Sequence, residues 1–261
     1  MSAPLRVDRD GDLLRVTLDD PERANALSPP MCEALIATYR RDWRAEGVRA
    51  ILLAGAGRNF CAGADLENLK RLAEATPVEH RLDSRRLRDT FEAILRQEAL
   101  TLALVHGACV AGGCGLATAC DFVVASEDAR FLYSEVRIGF VAALVATYLP
   151  LRLRGSDIRE LLLAPEFVGA ERALAIGLAN RVVPEAELAA AGEAWAIEVL
   201  TKASGESIAA TKRLLLELLG RPLAERLDRA EAANAAQRQT ADCKRGVAYF
   251  LEQKKSPDWR A

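Results

Sequence analysis

Two turns rich in glycine and alanine, RNFCAGADL (Arg58–Leu66) and HGACVAGGCGLATACD (His106–Asp121), hold the residues of this chain best suited to chemistry. An apolar run precedes each, Val48–Ala54 (VRAILLA) for the first and Leu102–Val105 (LALV) for the second, and a helical pattern follows each. A strand that ends in small residues at a helix N-terminus leaves backbone N–H groups unpaired and directed at open space. Two such turns side by side make a pair of donors for an oxygen on which negative charge develops. Downstream, in FLYSEVRIGF, stands Glu135. Two N–H donors and one carboxylate are a minimal set for moving protons beside a carbonyl group.

The elements that must position these groups alternate along the chain. Leu13–Leu18 (LLRVTL) alternates as a strand and ends at Asp19–Pro21. Ser28, followed by prolines at 29 and 30, predicts the start of a helix running to about Trp43. Strand Val48–Ala54, the first turn, a helix from Asp65 and a long polar helix near Glu79–Glu98 come next. Strand Leu102–His106 then leads through the second turn into a helix over Gly113–Ala119 and a strand at Phe122–Ala125. Strand, turn and helix in alternation predict an α/β fold. From about Ala186 the chain reads as helix throughout, broken at Gly205 and at Gly220–Pro222, with leucine stripes (Leu214, Leu215, Leu218, Leu219, Leu227) and no flexible linker. That pattern predicts a region that packs on the core or on a neighbouring subunit.

Composition removes several classes of function. With 261 residues, of which 51% are hydrophobic and 5% aromatic, the chain fills one large unit built on Ala, Leu and Val. A net charge of −2 gives no field that would attract nucleic acid or an anionic membrane. The apolar runs are too short to span a bilayer, and MSAPLRVDRDGD opens without the apolar segment of a signal peptide, so a cytoplasmic location is expected. The six cysteines include no Cys-x-x-Cys pair, and the histidines are His80 and His106, so no metal site is expected. No phosphate-loop or dinucleotide-binding fingerprint occurs.

The ordered motifs DPERANALS (Asp19–Ser28), FCAGADL, VAGGCGLATACD, SEVRIGF and EFVGAERALAIGLANRVV (Glu166–Val183), with the helical tail, resemble the crotonase (enoyl-CoA hydratase/isomerase) superfamily over nearly the whole length. The resemblance implies a crotonase-type spiral of ββα units with a C-terminal helical region. It divides the chain into a core at 1–195 and a helical oligomerisation region at 196–261, and it implies trimers or pairs of trimers. It implies that the N–H groups of Ala64 and Gly112 hold a thioester oxygen and that Glu135 is the acid/base. Arg23, Ala24, Ala62, Gly63, Asp65 and Leu66 match the segments around coenzyme A, which is the substrate's handle; no separate cofactor is implied. Gly115, Gly139 and Ala143 fall where the family's acyl pocket lies.

Two departures stand out. Two-glutamate hydratases carry a second Glu in a pattern like GGGCEL, whereas this chain reads GGCGL with Gly115 in that place. The family's Pro-Gly-rich turn is replaced by Ala142 and Ala143 in FVAALVATYL. The resemblance is nearest to bacterial enoyl-CoA and methylglutaconyl-CoA hydratase-like proteins, which favours hydration of a 2-enoyl-CoA, straight or branched. A single glutamate also suits a Δ3–Δ2 enoyl-CoA isomerase, and loss of the second one suits a non-catalytic acyl-CoA- or RNA-binding homologue. Against the last reading, the arginines of His80–Arg96 are interleaved with acids and predict a solvated helix face. Asp65 also suits a helix cap, and His106 a structural role at a strand end.

Overall fold

The alternation at Leu13–Leu18 becomes the second strand of a hairpin, β1 (Leu5–Asp10) against β2 (Leu13–Leu18), antiparallel with Leu5 facing Leu18 and Asp10 facing Leu13. The computed structural model describes residues 4–72, 74–253 and 257–260, with the backbone alone at Leu66, Leu69 and Leu223. After a short 3-10 turn at Pro21–Arg23, α1 (Pro29–Arg40) starts at Ser28, whose Oγ accepts from the Met31 N–H. Strand β3 (Ala50–Gly55) adds parallel to β2, and α2 (Leu66–Leu72) and the long α3 (Pro77–Arg96) follow. Thr76 and Glu79 form a reciprocal capping box that fixes the start of α3.

The second half repeats the scheme. Strand β4 (Leu100–Val105) pairs parallel with β3, and β5 (Ala108–Val110) leads into α4 (Gly112–Ala119). Strands β6 (Phe122–Ser126) and β7 (Arg130–Leu132) precede α5 (Ala143–Ala146) and α6 (Gly155–Leu163); β8 (Val168–Gly169), α7 (Ala170–Ile176) and β9 (Arg181–Val183) complete the layered part. The result is a six-stranded sheet in the order β1-β2-β3-β4-β6-β9 and a three-stranded sheet in the order β5-β7-β8. The six-stranded sheet is parallel apart from its opening hairpin.

Strand β3 explains why the stretch after Arg49, AILL, is apolar without a break: it is buried on both faces, as central parallel strands are. Ile51 and Leu53 join one cluster with Leu35, Phe60 and Phe131, and Ala50 and Leu52 join another with Leu102, Leu104 and Val124. That second cluster is closed by α8 (Leu188–Lys202) through Leu188, Ala196 and Leu200. The boundary expected between residues 195 and 196 therefore falls inside a helix that belongs to the core. The helical region that extends from the core begins instead with α9 (Gly205–Leu218) and continues through α10 (Leu223–Gln237) and α11 (Ala241–Gln253). Helix α9 is tied down by Lys212, whose Nζ lies 2.7 Å from Asp121 Oδ2 and donates to the Ala99 carbonyl. The Asp121 carboxylate also accepts from the Thr101 N–H and hydroxyl. Gly205 is the first residue of α9, not a break; the cap is Ser204, whose Oγ accepts from the Ser207 N–H.

Candidate active site

The two small-residue turns lie against each other. Cys61 and Cys109 bridge in parallel, the Val110 N–H donates to the Cys61 carbonyl (2.9 Å), and the Phe60 N–H donates to the His106 carbonyl (3.0 Å). The approach is so close that a Cβ on Gly113 would lie 2.4 Å from the Cys61 oxygen. Gly63 has φ +84°, and a Cβ there would lie 2.6 Å from the Val110 oxygen and 3.2 Å from the Gly112 nitrogen. Only glycine satisfies both the backbone angle and the space.

Ala64 follows Gly63 directly, so its backbone and that of Gly112 belong to the two turns that this close approach joins. Gly112 is the first residue of α4, where no helical acceptor exists for its N–H, and Ala64 bridges to Leu27. Among the described residues neither N–H donates to a backbone carbonyl. Ahead of Gly112, Ala111 has φ 48° and ψ −116°, a conformation that favours glycine, and its N–H is held by the Leu132 carbonyl at 2.7 Å. Backbone strain of this kind is stored where the surrounding structure fixes a functional geometry.

The same Leu132 carbonyl ties the second turn to the segment that carries the carboxylate. Strand β7 runs parallel to β5 and ends at Leu132, and Glu135 opens a 3-10 turn (Glu135–Ile138) three residues on. Glu135 Oε2 is buried and has no hydrogen-bond partner among the described residues. Burial pushes its carboxyl above the ordinary carboxylate range, partly offset by its own backbone N–H. An unpartnered, partly desolvated carboxylate is suited to taking up and releasing a proton.

Two amides without a backbone acceptor, one of them at the start of α4, and one carboxylate without a partner are groups chemically suited to an oxyanion and a proton. Over residues 8–261 the chain matches the family model described as Enoyl-CoA hydratase/isomerase. The chain belongs to this family. It is 41% identical over 244 residues to a Thermus thermophilus protein that bears the name "Putative enoyl-CoA hydratase", covering 94% of this chain and 96% of that one. It is 29% identical to the human mitochondrial Delta(3,5)-Delta(2,4)-dienoyl-CoA isomerase, covering 93% of this chain and 77% of that one. A Mycobacterium smegmatis enoyl-CoA hydratase structure superposes with a TM-score of 0.89 at 32% identity, covering 99% of each chain.

As a member of the enoyl-CoA hydratase/isomerase family, the chain places its remaining candidate residues unevenly. Arg23 and Ala24 lie on the loop after β2, and Ala24 is held to the first turn by the Ala62 N–H (2.9 Å). The half-exposed Arg23 guanidinium lies 3.7 Å from Asp65 Oδ2. Asp65 is buried and Oδ1 accepts from the Asn68 N–H at 2.7 Å, so it caps α2. The Leu66 backbone begins α2, and its side chain lies outside the described residues. Gly139 ends the Glu135 turn at φ +74° and is exposed, as is Ala143 at the start of α5. Gly115 is buried, and a Cβ on it would lie 2.6 Å from Phe91 Cζ. His106 is structural: its Nε2 is 2.9 Å from the Gly57 oxygen. Three of the five arginines of α3 are paired, Arg86 with Glu33 and Asp83, Arg88 with Asp89, and Arg96 with Glu92. Cys61 and Cys120 are buried among apolar side chains, which pushes each thiol up to about 12.

Asn25 and Phe91 were not singled out by the sequence. Asn25, wholly buried at φ 55°, donates from Nδ2 toward the carbonyls of Ala56, Asn59 and Phe60, and its Oδ1 accepts from the Asp20 N–H. It pins the loop of Arg23 to the first turn. Asparagine is one of the few side chains that tolerate this backbone region, which was the available signal. Phe91 is an apolar position on a polar helix, and only the packing places it where a side chain at 115 would go.

Proposed function

We propose that the chain hydrates a 2-enoyl-CoA, straight or branched, with the thioester oxygen held by the N–H groups of Ala64 and Gly112. Coenzyme A enters as the substrate's handle, without a separate cofactor, over the loop of Arg23 and Ala24 and the turn Ala62–Leu66. Glu135, as carboxylate, takes a proton from the water whose oxygen bonds to C3. The C2–C3 π electrons move onto the thioester as an enolate, and protonated Glu135 then delivers the proton to C2. The two donors lower this barrier because they meet the charge where it develops. The observation that carries the reading is Glu135 Oε2, buried and unpartnered on the segment anchored through Leu132 to the second turn. The oligomer is proposed to be a trimer or a pair of trimers.

A second reading is favoured by one observation: the space beyond Gly115 is filled by the Phe91 ring, so no second carboxylate stands there. One glutamate suffices to remove a proton from C2 of a 3-enoyl-CoA and return it at C4. Incubation with 2-enoyl-, 3-enoyl- and branched carboxylated enoyl-CoA thioesters decides between the two. A product heavier by one water supports hydration, a product of equal mass and altered retention supports isomerisation, and no turnover of any thioester overturns both.

A further inference from the structure

Helix α4 begins at the donor Gly112, and a side chain at 115 would project from the same helical face one turn further on. That space holds the ring of Phe91. A Cβ on Gly115 would lie 2.6, 2.9 and 3.2 Å from its Cζ, Cε1 and Cε2, and a Cβ on Gly112 would lie 4.0 Å from Cζ. The ring is buried, and it meets Tyr148 edge-on with centroids 6.1 Å apart. Tyr148 in turn donates from its hydroxyl to the Gly115 carbonyl at 2.9 Å. Phe91 and Gly115 are thus an interlocked pair, each side chain setting what the other can be, with Tyr148 bracing both.

We propose that Phe91 is a specificity-determining residue, the apolar wall against which the acyl chain of the thioester rests. The inference rests on the proposed oxyanion site. A carbonyl oxygen bonded to the Gly112 N–H lies about 3 Å from that nitrogen. Phe91 Cζ would lie 4.0 Å from a Cβ on the same glycine, which makes the ring a near apolar neighbour of the carbons beside that oxygen. The wall offers no polar atom, and the proton of the Tyr148 hydroxyl is committed to Gly115. Orientation of water thus falls to Glu135 and to main-chain groups. An acyl group carrying a charge toward this wall would lose its hydration without gaining a partner, so the wall selects uncharged acyl chains and limits their bulk.

The test measures dissociation constants of saturated acyl-CoAs, from butyryl to octanoyl and isovaleryl, by calorimetry, with turnover measured in parallel. In Phe91→Leu and Phe91→Ala the ratio of affinities for octanoyl- over butyryl-CoA should rise about tenfold, the low end of what a pocket change of methylene size yields. Gly115→Ala should move the ratio the other way by crowding the ring, and Phe91→Leu combined with Gly115→Ala should bring it back. A ratio unchanged within twofold in the folded Phe91→Leu protein overturns the proposal, and this milder variant serves if Phe91→Ala does not fold. Wild-type protein that binds the series but turns over no enoyl-CoA would defeat the hydration reading alone. Turnover with an unmoved ratio would defeat the Phe91 assignment alone.

Discussion

At the scale of single residues, Glu135 and Asn25 make opposite demands on the protein. Glu135 leaves an oxygen buried without a partner, which costs stability when the group is charged. Glu135→Gln keeps the shape and loses the transferable proton, so kcat should fall by about 10²–10⁴-fold while acyl-CoA affinity changes little. The sign of the pH effect follows from burial. A carboxyl raised above its unfolded value of 4.5 contributes stability below that pH and loses it as pH rises through the folded value. The Gln variant has no such proton to lose. Its melting temperature relative to wild type should be higher at pH 8 than at pH 4, and a constant difference would contradict the raised pKa. By contrast, Asn25 satisfies its whole amide inside the protein. Asn25→Ala leaves buried carbonyls and the Asp20 N–H without their partner and should cost about 2–3 kcal/mol in urea denaturation.

At the scale of elements, the start of α4 is where packing and chemistry compete. Gly115→Glu, which in outline would restore a second carboxylate, must first displace the Phe91 ring. The single substitution should destabilise by about 1–3 kcal/mol, as overpacking does, without raising hydration. Phe91→Ala combined with Gly115→Glu opens the space, and thermal denaturation should show the second change costing less in that background than alone. A cost that is the same in both backgrounds would mean that the two side chains do not share the space. One turn earlier, Ala111 at φ 48° sits in a conformation that glycine adopts freely. Ala111→Gly should raise stability, by on the order of 1 kcal/mol after the entropy of the unfolded chain is counted.

For the whole molecule, the C-terminal helices leave an account open at the surface. Leu227 is 60% exposed on α10, and Phe250 and Leu251 are 55% and 61% exposed on α11, while the same region is anchored to the core by Lys212 and by Arg49, which donates to the Trp259 carbonyl. The trimer or pair of trimers proposed above would cover such side chains. Light scattering at micromolar concentration should therefore show at least three chains, and a fully active monomer would contradict this. No helix among the described residues is long and apolar enough to cross a membrane, so these faces are not part of a helical span.

Much of this was legible in the residues themselves. The apolar run VRAILLA, the paired small-residue turns and the Ser28 cap position obey local rules, in which strand burial, glycine conformations and unpaired amides follow from nearby chain. The order of motifs carried the family. Tertiary structure alone decided three things. It put the Gly63 and Gly112 backbones in contact, because strands β3 and β4 are neighbours through a crossover that no local pattern encodes. It left Glu135 Oε2 without a partner, because burial depends on everything packed around a segment. And it drove the Phe91 ring into the place of a missing side chain at 115, an outcome that only two helices distant in sequence, α3 and α4, can settle by filling the same volume.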